Sequence, residues 1–248
     1  MRTKDRVTLI TGAGQGLGKA IAMTFAREGA KLAINDVRFN ENQALETVAE
    51  LRELGVEAEL FLADVSNEAE VEEMAKKVLE RFGRIDILVN NAGINRDGLV
   101  HKGDKTKWDA VMAVNLTGPF LCTKTVLPAM RQQKYGRIVN ISSVTARTGV
   151  AGTGYYATAK TGLIGLTKIT AAENANKGIT VNAVAPGYIK TSMMTNYPED
   201  VINGIIAKIP VGRFAEPQEI AEAVLFLAED SSGYVTGSVL DINGGFHF

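Results

Sequence analysis

Val7-Thr-Leu-Ile10-Thr11-Gly12-Ala-Gly14-Gln15-Gly16-Leu17-Gly18 decides the fold of this chain. A short run of apolar and β-branched residues reads as a buried strand, and the glycine-rich turn runs into a helical pattern set by Ile21 and Phe25. Gly29 is placed to end that helix. A turn without Cβ atoms lets its backbone approach a pyrophosphate, and the helix start offers free N–H groups. The strict G-x-G-x-x-G spacing is absent, because Leu17 and Lys19 stand where it needs glycine; the spacing present is T-G-x-x-x-G-x-G. Strand, glycine turn and helix in this order predict a dinucleotide site, with an ordinary βα turn as the plainer alternative.

Working outward, residues 31–35 form the next strand and Asp36 stands at its end. An acidic residue roughly 20 positions past the glycines is placed to accept hydrogen bonds from the adenosine ribose. The same carboxylate repels a 2′-phosphate, so it selects NAD over NADP. Gln15 occupies the loop where a basic residue would greet that phosphate, and Arg38 is near enough in sequence to swing back. Residues 40–54 read as a helix stopped by Gly55, residues 60–62 as a third strand, with Asp64 and Val65 after it. Ser66 is the expected cap of a helix running to Phe82 and ended by Gly83; residues 85–89 make a fourth strand that leads into Asn90-Asn91-Ala92-Gly93. Strands alternating with helices predict one domain over residues 1–248. Its fold class is α/β, a doubly wound parallel sheet of about seven strands with helices on both faces. Ligands then gather at the C-terminal strand ends, where Asp36, Asp64, Asn90 and Ser143 all fall.

A second stretch supplies chemistry. Ile138-Val-Asn-Ile-Ser142-Ser143 is a strand ending in two serines, and Tyr155-Tyr156-Ala-Thr-Ala-Lys160 opens a helix continued by Leu163, Leu166 and Ile169. Residues four apart share a helix face, so Tyr156 and Lys160 point at one spot. An ammonium beside a phenol favours the phenolate, which makes a tyrosine of ordinary pKa about 10 usable in proton transfer nearer neutrality. A serine hydroxyl at the strand end would hold a substrate oxygen against it. The bland reading is a surface lysine beside a buried tyrosine.

Composition narrows the class. Of 248 residues 46% are hydrophobic, enough for a substantial core, and 27 basic against 28 acidic residues leave a net charge of −1, which favours neither nucleic acid nor an anionic membrane as partner. Cys122 is the sole cysteine, so no intrachain disulfide forms and a reducing cytoplasm is the expected location. The apolar run at residues 7–10 is too short for a signal-peptide core, and no membrane span is expected. His101 and His247 lack metal-like spacing, so no metal site is assigned.

With Thr11, Gly12, Gly16, Gly18, Asp64-Val65, Asn90-Asn91-Ala92-Gly93, Asn115, Ser143, Tyr156-x-x-x-Lys160 and Pro186-Gly187 in order, the chain resembles the short-chain dehydrogenase/reductase superfamily over essentially its full length. The resemblance implies that Tyr156 is the general acid in carbonyl reduction and the base in alcohol oxidation. It implies that Ser143 orients the carbonyl, and that Lys160 bonds the nicotinamide ribose and lowers the Tyr156 pKa. Asn115, in a helix beginning near Trp108 and broken near Gly118-Pro119, would hold a water linking Lys160 to solvent. Gly12, Gln15, Gly16, Leu17, Gly18, Asp36, Asp64, Val65, Asn91, Ala92, Gly93, Pro186, Gly187, Ile189 and Thr191 would contact the cofactor together with Tyr156 and Lys160. Residues around Asn95-Arg96-Asp97 and Trp108 look most like 3-oxoacyl-thioester reductases, which include carrier-protein reductases and acetoacetyl-CoA reductases. That group usually prefers NADPH, so Gln15 and Asp36 are departures that point to NAD. Lys134 and Lys177 align with positions that are basic in the carrier-protein enzymes, and read equally well as solvated lysines.

Residues 180–184 form the sixth strand, Pro217 begins a helix reaching Leu227, and residues 239–242 are the last strand. Residues 188–210, with Met193, Met194, Pro198 and Gly204, form the expected substrate-covering segment, with a plain surface helix pair as alternative. The apolar tail Phe246-His247-Phe248 would be odd exposed, and the resemblance places it at a subunit interface of a homotetramer. The leading function is NAD(H)-dependent interconversion of a 3-oxoacyl and a 3-hydroxyacyl thioester. The alternatives are a dehydrogenase of a polyol, cyclic or other small secondary alcohol, and more remotely a non-catalytic dinucleotide sensor.

Overall fold

The computed structural model describes residues 1–96, 98–190 and 198–248. Asp97, Thr191, Met193 and Met194 lie outside the described residues. Seven parallel strands form one sheet in the order β3-β2-β1-β4-β5-β6-β7, comprising β1 (Val7–Ile10), β2 (Lys31–Asp36), β3 (Ala58–Leu62), β4 (Ile87–Asn90), β5 (Gly136–Ile141), β6 (Ile179–Pro186) and β7 (Val239–Ile242). The helices are α1 (Gly16–Arg27), α2 (Glu41–Glu53), α3 (Glu68–Phe82), α4 (Lys105–Met112), α5 (Gly118–Gln133), α6 (Gly154–Asn174), α7 (Glu199–Ile206) and α8 (Pro217–Ala228).

Strand composition explains the layering. Alternate strand residues point to opposite faces. Ile10, Ile34 and Val139 therefore meet Ile21, Phe25 and Val224 on one face. Leu9, Leu88 and Ile138 meet Val71, Met74 and Val126 on the other. Both faces are covered, so the strands read as continuous apolar runs rather than alternating ones. The strand order reverses between β1 and β4, which opens the crevice where such sheets bind ligands.

Several local expectations are corrected. Asn67, not Ser66, caps α3, its side chain accepting from the N–H groups of Ala69 and Glu70. Ser66 instead donates to Asp64. The helix bearing Asn115 starts at Lys105 behind the Asp104 cap, and it does not break at Gly118-Pro119. It continues through a π-helical turn at Ala113–Thr117. The combined run Lys105–Gln133 is long and apolar enough to cross a membrane by length and composition alone, a test that buried core helices also pass. Here it packs against α3, β4 and β5. On α6 the buried face carries Tyr155, Ala159, Leu163, Ile164 and Thr167, whereas Leu166 is half-buried and Ile169 exposed.

Candidate active site

The glycine turn shows why its residues are small. Gly12 has φ +61°, and a Cβ there would lie 2.8 Å from Ala92 Cα, so β1 and β4 meet too closely for a side chain. At Gly16 (φ +57°) a Cβ would meet nothing within 4 Å, so this residue borders open space at the start of α1. Leu17 packs against the core, and Gln15 is exposed beside the open helix start. Asn91 braces the turn. Its amide donates to the carbonyls of Thr11 and Gly12 at 2.9 Å each, and the Thr11 hydroxyl oxygen accepts from the N–H groups of Asn91 and Ala92 at 3.0 and 3.1 Å. Thr11 is therefore a hinge pin that the sequence motif contains but whose role its spacing does not reveal.

Asp36 ends β2 almost fully buried, its carboxylate accepting from Gly14 N–H at 2.9 Å and Val37 N–H at 2.8 Å. Arg38 does not swing back; its side chain is 83% exposed and lies 3.8 Å from Glu41. Asp64, at the end of β3, accepts from the Ser66 N–H and hydroxyl through Oδ1, and Val65 beside it is buried against α5 through Gly118. Gly187 follows β6, pairing with Ile242 and approaching Asn243 too closely for a Cβ, while Ile189 pairs with Ala215.

The chemical residues meet at the ends of β4 and β5. Two serines and two tyrosines compete in the sequence, and packing separates them. Ser142 is buried and donates to the Lys160 carbonyl at 3.0 Å, which ties α6 to the end of β5. Ser143, next along the chain, accepts from the Thr145 N–H at 3.1 Å and from the Thr145 hydroxyl at 2.9 Å. With its acceptor sites engaged, its own hydroxyl hydrogen is the group left to donate. Tyr155 is buried edge-on against Trp108, and its hydroxyl oxygen accepts from the Asp104 N–H at 2.7 Å. Tyr156 is half-buried, with the Lys160 ammonium 5.4 Å from its ring centroid.

Lys160 is 2% exposed and donates to the Ile141 carbonyl at 2.7 Å. Burial without a carboxylate partner lowers its pKa to about 8. Asn115 is fully buried, its amide donating to the carbonyls of Ile94 at 2.8 Å and Val111 at 3.0 Å. Among the described residues its Oδ1 is a buried acceptor without a partner. Gly93 sits between these groups, since a Cβ there would lie 2.7 Å from Asn115 Oδ1 and 3.6 Å from Lys160 Nζ. An orphaned oxygen beside a buried ammonium fits a site completed by a donor from water or ligand. Behind it, Thr123, Asn90, Asn140 and Thr167 form a buried side-chain ladder through the sheet. The loops after β4 and β5 meet at the Gly98–Thr153 bridge, which rims the site. Among the described residues no cluster of His, Cys, Asp or Glu is arranged for a metal.

A parallel α/β sheet with a dinucleotide turn at its switch point and a Ser-Tyr-Lys group at the same edge defines a nicotinamide-dependent oxidoreductase acting on CH–OH groups. The chain belongs to the short-chain dehydrogenase/reductase family: residues 12–247 match the family model described as Enoyl-(Acyl carrier protein) reductase. It is 44% identical over 245 residues to the 3-oxoacyl-(acyl-carrier-protein) reductase FabG of Thermotoga maritima, covering 99% of each chain. It is 45% identical to the (2S)-((R)-hydroxy(phenyl)methyl)succinyl-CoA dehydrogenase subunit BbsD of Thauera aromatica, covering 99% of this chain and 98% of that one. Among solved structures, a protein from Agrobacterium tumefaciens described as a candidate gluconate dehydrogenase superimposes with a TM-score of 0.94 at 35% identity, covering 98% of this chain and 96% of that one.

Proposed function

We propose that this protein interconverts a 3-oxoacyl thioester and its 3-hydroxyacyl partner using NAD(H) rather than NADP(H). The observation that carries the cofactor choice is the Asp36 carboxylate, buried at the end of β2 and facing the glycine turn at Gly14. A ribose hydroxyl can donate to it, and a 2′-phosphate meets like charge in a poorly solvated place. Gln15 brings no compensating charge, and Arg38 points to solvent. The thioester choice rests on the names of the carrier-protein reductases and the CoA-linked dehydrogenase that this chain resembles. A small hydroxy acid is the second reading, favoured by the description of the Agrobacterium structure.

The residues present fit a nicotinamide dinucleotide: an open glycine at the start of α1, an acid for the ribose and an unpaired acceptor at Asn115. When bound, the nicotinamide supplies or accepts the hydride. Tyr156 gives its phenolic proton to the carbonyl oxygen in reduction and takes the alcohol proton in oxidation. Ser143 donates to the same oxygen, where negative charge develops, and Thr145 fixes the direction of that donation. Lys160, desolvated and anchored on Ile141, holds the phenol's counter-charge and a ribose hydroxyl, and Asn115 Oδ1 holds the water through which the proton is replaced. Gly12, Gly16, Gly18, Asn91, Ala92 and Gly93 shape the cofactor floor. Asp64 and Val65 would line the adenine end, and Pro186, Gly187 and Ile189 the carboxamide end; Thr191, expected there as well, lies outside the described residues.

Part of the proposal concerns surroundings. Of the expected covering segment 188–210, residues 191–197 lie outside the described residues. The described part that covers the substrate is α7, with none of its residues fully buried and Ile202, Ile205 and Ile206 half-buried. Lys134 and Lys177 share a depression of about 720 Å³ with Arg131, a cationic place for a phosphorylated acyl carrier. Exposed Phe120 on α5 and Ile169 on α6, and exposed Phe248 at the tail, are apolar surface for a homotetramer. Burial raises the Cys122 thiol to about 12, an unreactive cysteine compatible with the cytoplasm.

The test is the initial rate of acetoacetyl-CoA reduction with NADH and with NADPH, with Tyr156→Phe as control. A strong NADH preference abolished in the variant supports the reading. Preference for NADPH overturns the cofactor choice, and turnover of gluconate-like hydroxy acids alone moves the substrate to the second reading.

A further inference from the structure

The acid at the end of β2 is itself held in place. Besides the Gly14 N–H on Oδ2 and the Val37 N–H on Oδ1, Asp36 accepts a third hydrogen bond on Oδ1, from the Asn40 side-chain amide at 3.0 Å. An ionised carboxylate has about four lone-pair sites. Both sites on Oδ1 are filled from within the protein, and one on Oδ2, so the remaining acceptor position is on Oδ2, the oxygen next to the glycine turn. Asn40 stands at the cap position of α2, where asparagine ordinarily accepts from the first helical turn. It makes no side-chain cap bond and gives its amide to Asp36 instead. α2 grips the same turn at a second point, through the Thr47 hydroxyl that donates to the Gly14 carbonyl at 2.8 Å.

We infer that Asn40 is a positioning residue for cofactor choice, holding Asp36 so that its carboxylate cannot turn aside from a 2′-phosphate. The inference rests on the NAD reading above. A carboxylate's terminal torsion is soft, so an untethered aspartate can rotate or swing to relieve repulsion. Here such a movement leaves Asn40 and two backbone donors without their acceptor in a site that is 5% exposed. A ribose hydroxyl needs no movement, because an acceptor position is left free on Oδ2, the oxygen that already bonds the turn at Gly14. Discrimination between the two cofactors therefore depends on a residue that need touch neither.

The experiment measures kcat and KM for NADH and NADPH, and their dissociation constants by fluorescence titration without substrate, in the wild type, Asn40→Ala and Gly14→Ala. Gly14 has no positive φ, so alanine is conformationally allowed, but its Cβ would lie 2.7 Å from Asp36 Oδ2 and displaces the carboxylate from the other side. The expected result is a NADH:NADPH ratio narrowed about tenfold in Asn40→Ala, the worth of one hydrogen bond to a charged group. The change falls on KM and the dissociation constants rather than on kcat. Gly14→Ala narrows the ratio too, as a control that moves Asp36 directly and presses Ala44 of α2. Asn40→Ser, which keeps a helix-start side chain but withdraws the amide from Asp36, carries the test if Asn40→Ala does not fold. Equal weakening of both cofactors, with the ratio unchanged in the variant that folds, overturns the inference and leaves Asn40 a helix-start residue. A wild type that itself prefers NADPH overturns the underlying cofactor reading, and that is visible before any variant is made.

Discussion

The two edges of the sheet use the same residue types to opposite ends. At the N-terminal edge the Tyr135 ring lies 3.8 Å from the Arg6 guanidinium and 4.5 Å from that of Arg137, and its hydroxyl donates to Asp230 at 2.8 Å. Burial and that carboxylate push its phenol up to about 12. Fully buried Asp86 beside it accepts from the Val7 N–H and from Arg84. At the C-terminal edge Tyr156 also has a cation near its ring, but Lys160 is buried with a carbonyl as its partner. Asn115 Oδ1 beside it is unpaired. Cations near a phenol are thus not enough to make an acid catalyst. Carboxylates that complete the network lock the Tyr135 cluster, whereas among the described residues none pairs with Lys160, which leaves that part of the C-terminal edge with unmet capacity for ligand and proton.

Tyr156→Phe is the sharpest attack on that contrast. Carbonyl reduction should fall about 10³-fold or more, within the range for loss of a general acid, while NADH binding by fluorescence titration shifts only a few-fold. Wild-type oxidation should gain as pH rises and Tyr156 deprotonates; an oxidation profile that keeps its shape in the variant assigns the proton to another group. Ser143→Ala comes next, at about 10²- to 10³-fold in kcat, the usual cost of a lost donor to a developing oxyanion. A loss confined to KM would make Ser143 a binding residue only.

How legible these edges were in the sequence follows from the range of the forces involved. Tyr156 and Lys160 share a helix face by spacing, and Asp36, Asp64, Asn90 and Ser143 fall at strand ends because βα alternation places them there. Both are local or topological facts. Asn40 and Thr47 act across the gap between α2 and the turn, and Asn40 read simply as the start of a helix. The π-helical turn at Ala113–Thr117 left only the Gly118-Pro119 pair as a signal, and that pair pointed to a break. Ser66 and Asn67 are both good caps, and the choice was made by Asp64 taking the serine. Ile169 fits the apolar period of α6 but lies outside the core, since periodicity does not say what covers a face.

Lys160 tests the C-terminal edge through stability. Its pKa is about 8 in the folded chain against an ordinary 10.5. Between these values the unfolded chain binds the proton and the folded chain does not, so this residue's contribution to stability rises with pH across that window and is smallest below it. The difference in unfolding free energy between wild type and Lys160→Met, measured by denaturant titration without cofactor, should shift in favour of wild type by up to about 3 kcal/mol from pH 8 to pH 10.5. A flat difference would mean that Lys160 keeps its charge when buried, and the edge would be less strained than its packing indicates. Tyr155→Phe should cost about 1–2 kcal/mol by leaving the Asp104 N–H without its acceptor, with a far smaller loss of kcat than Tyr156→Phe. Comparable losses of kcat would blur the two tyrosines.

The smallest effect is expected at the locked edge. Tyr135→Phe keeps the ring against Arg6 and Arg137 and removes only the hydroxyl that Asp230 accepts. Asp230 has a side chain 62% exposed and retains Arg6 at 3.0 Å, so water and the guanidinium replace most of what is lost. The cost should be about 1 kcal/mol or less in unfolding free energy, with kcat and KM at wild-type values. Because the substitution removes a phenol that titrates near 12, it should also leave the pH profile of activity untouched through the range where Tyr156 works. A tenfold fall in kcat would show that the two edges are coupled through β5, whose residues run from Gly136 beside Tyr135 to Ile141 beneath Lys160. The separation between a stabilising edge and a reactive one would then be a matter of degree.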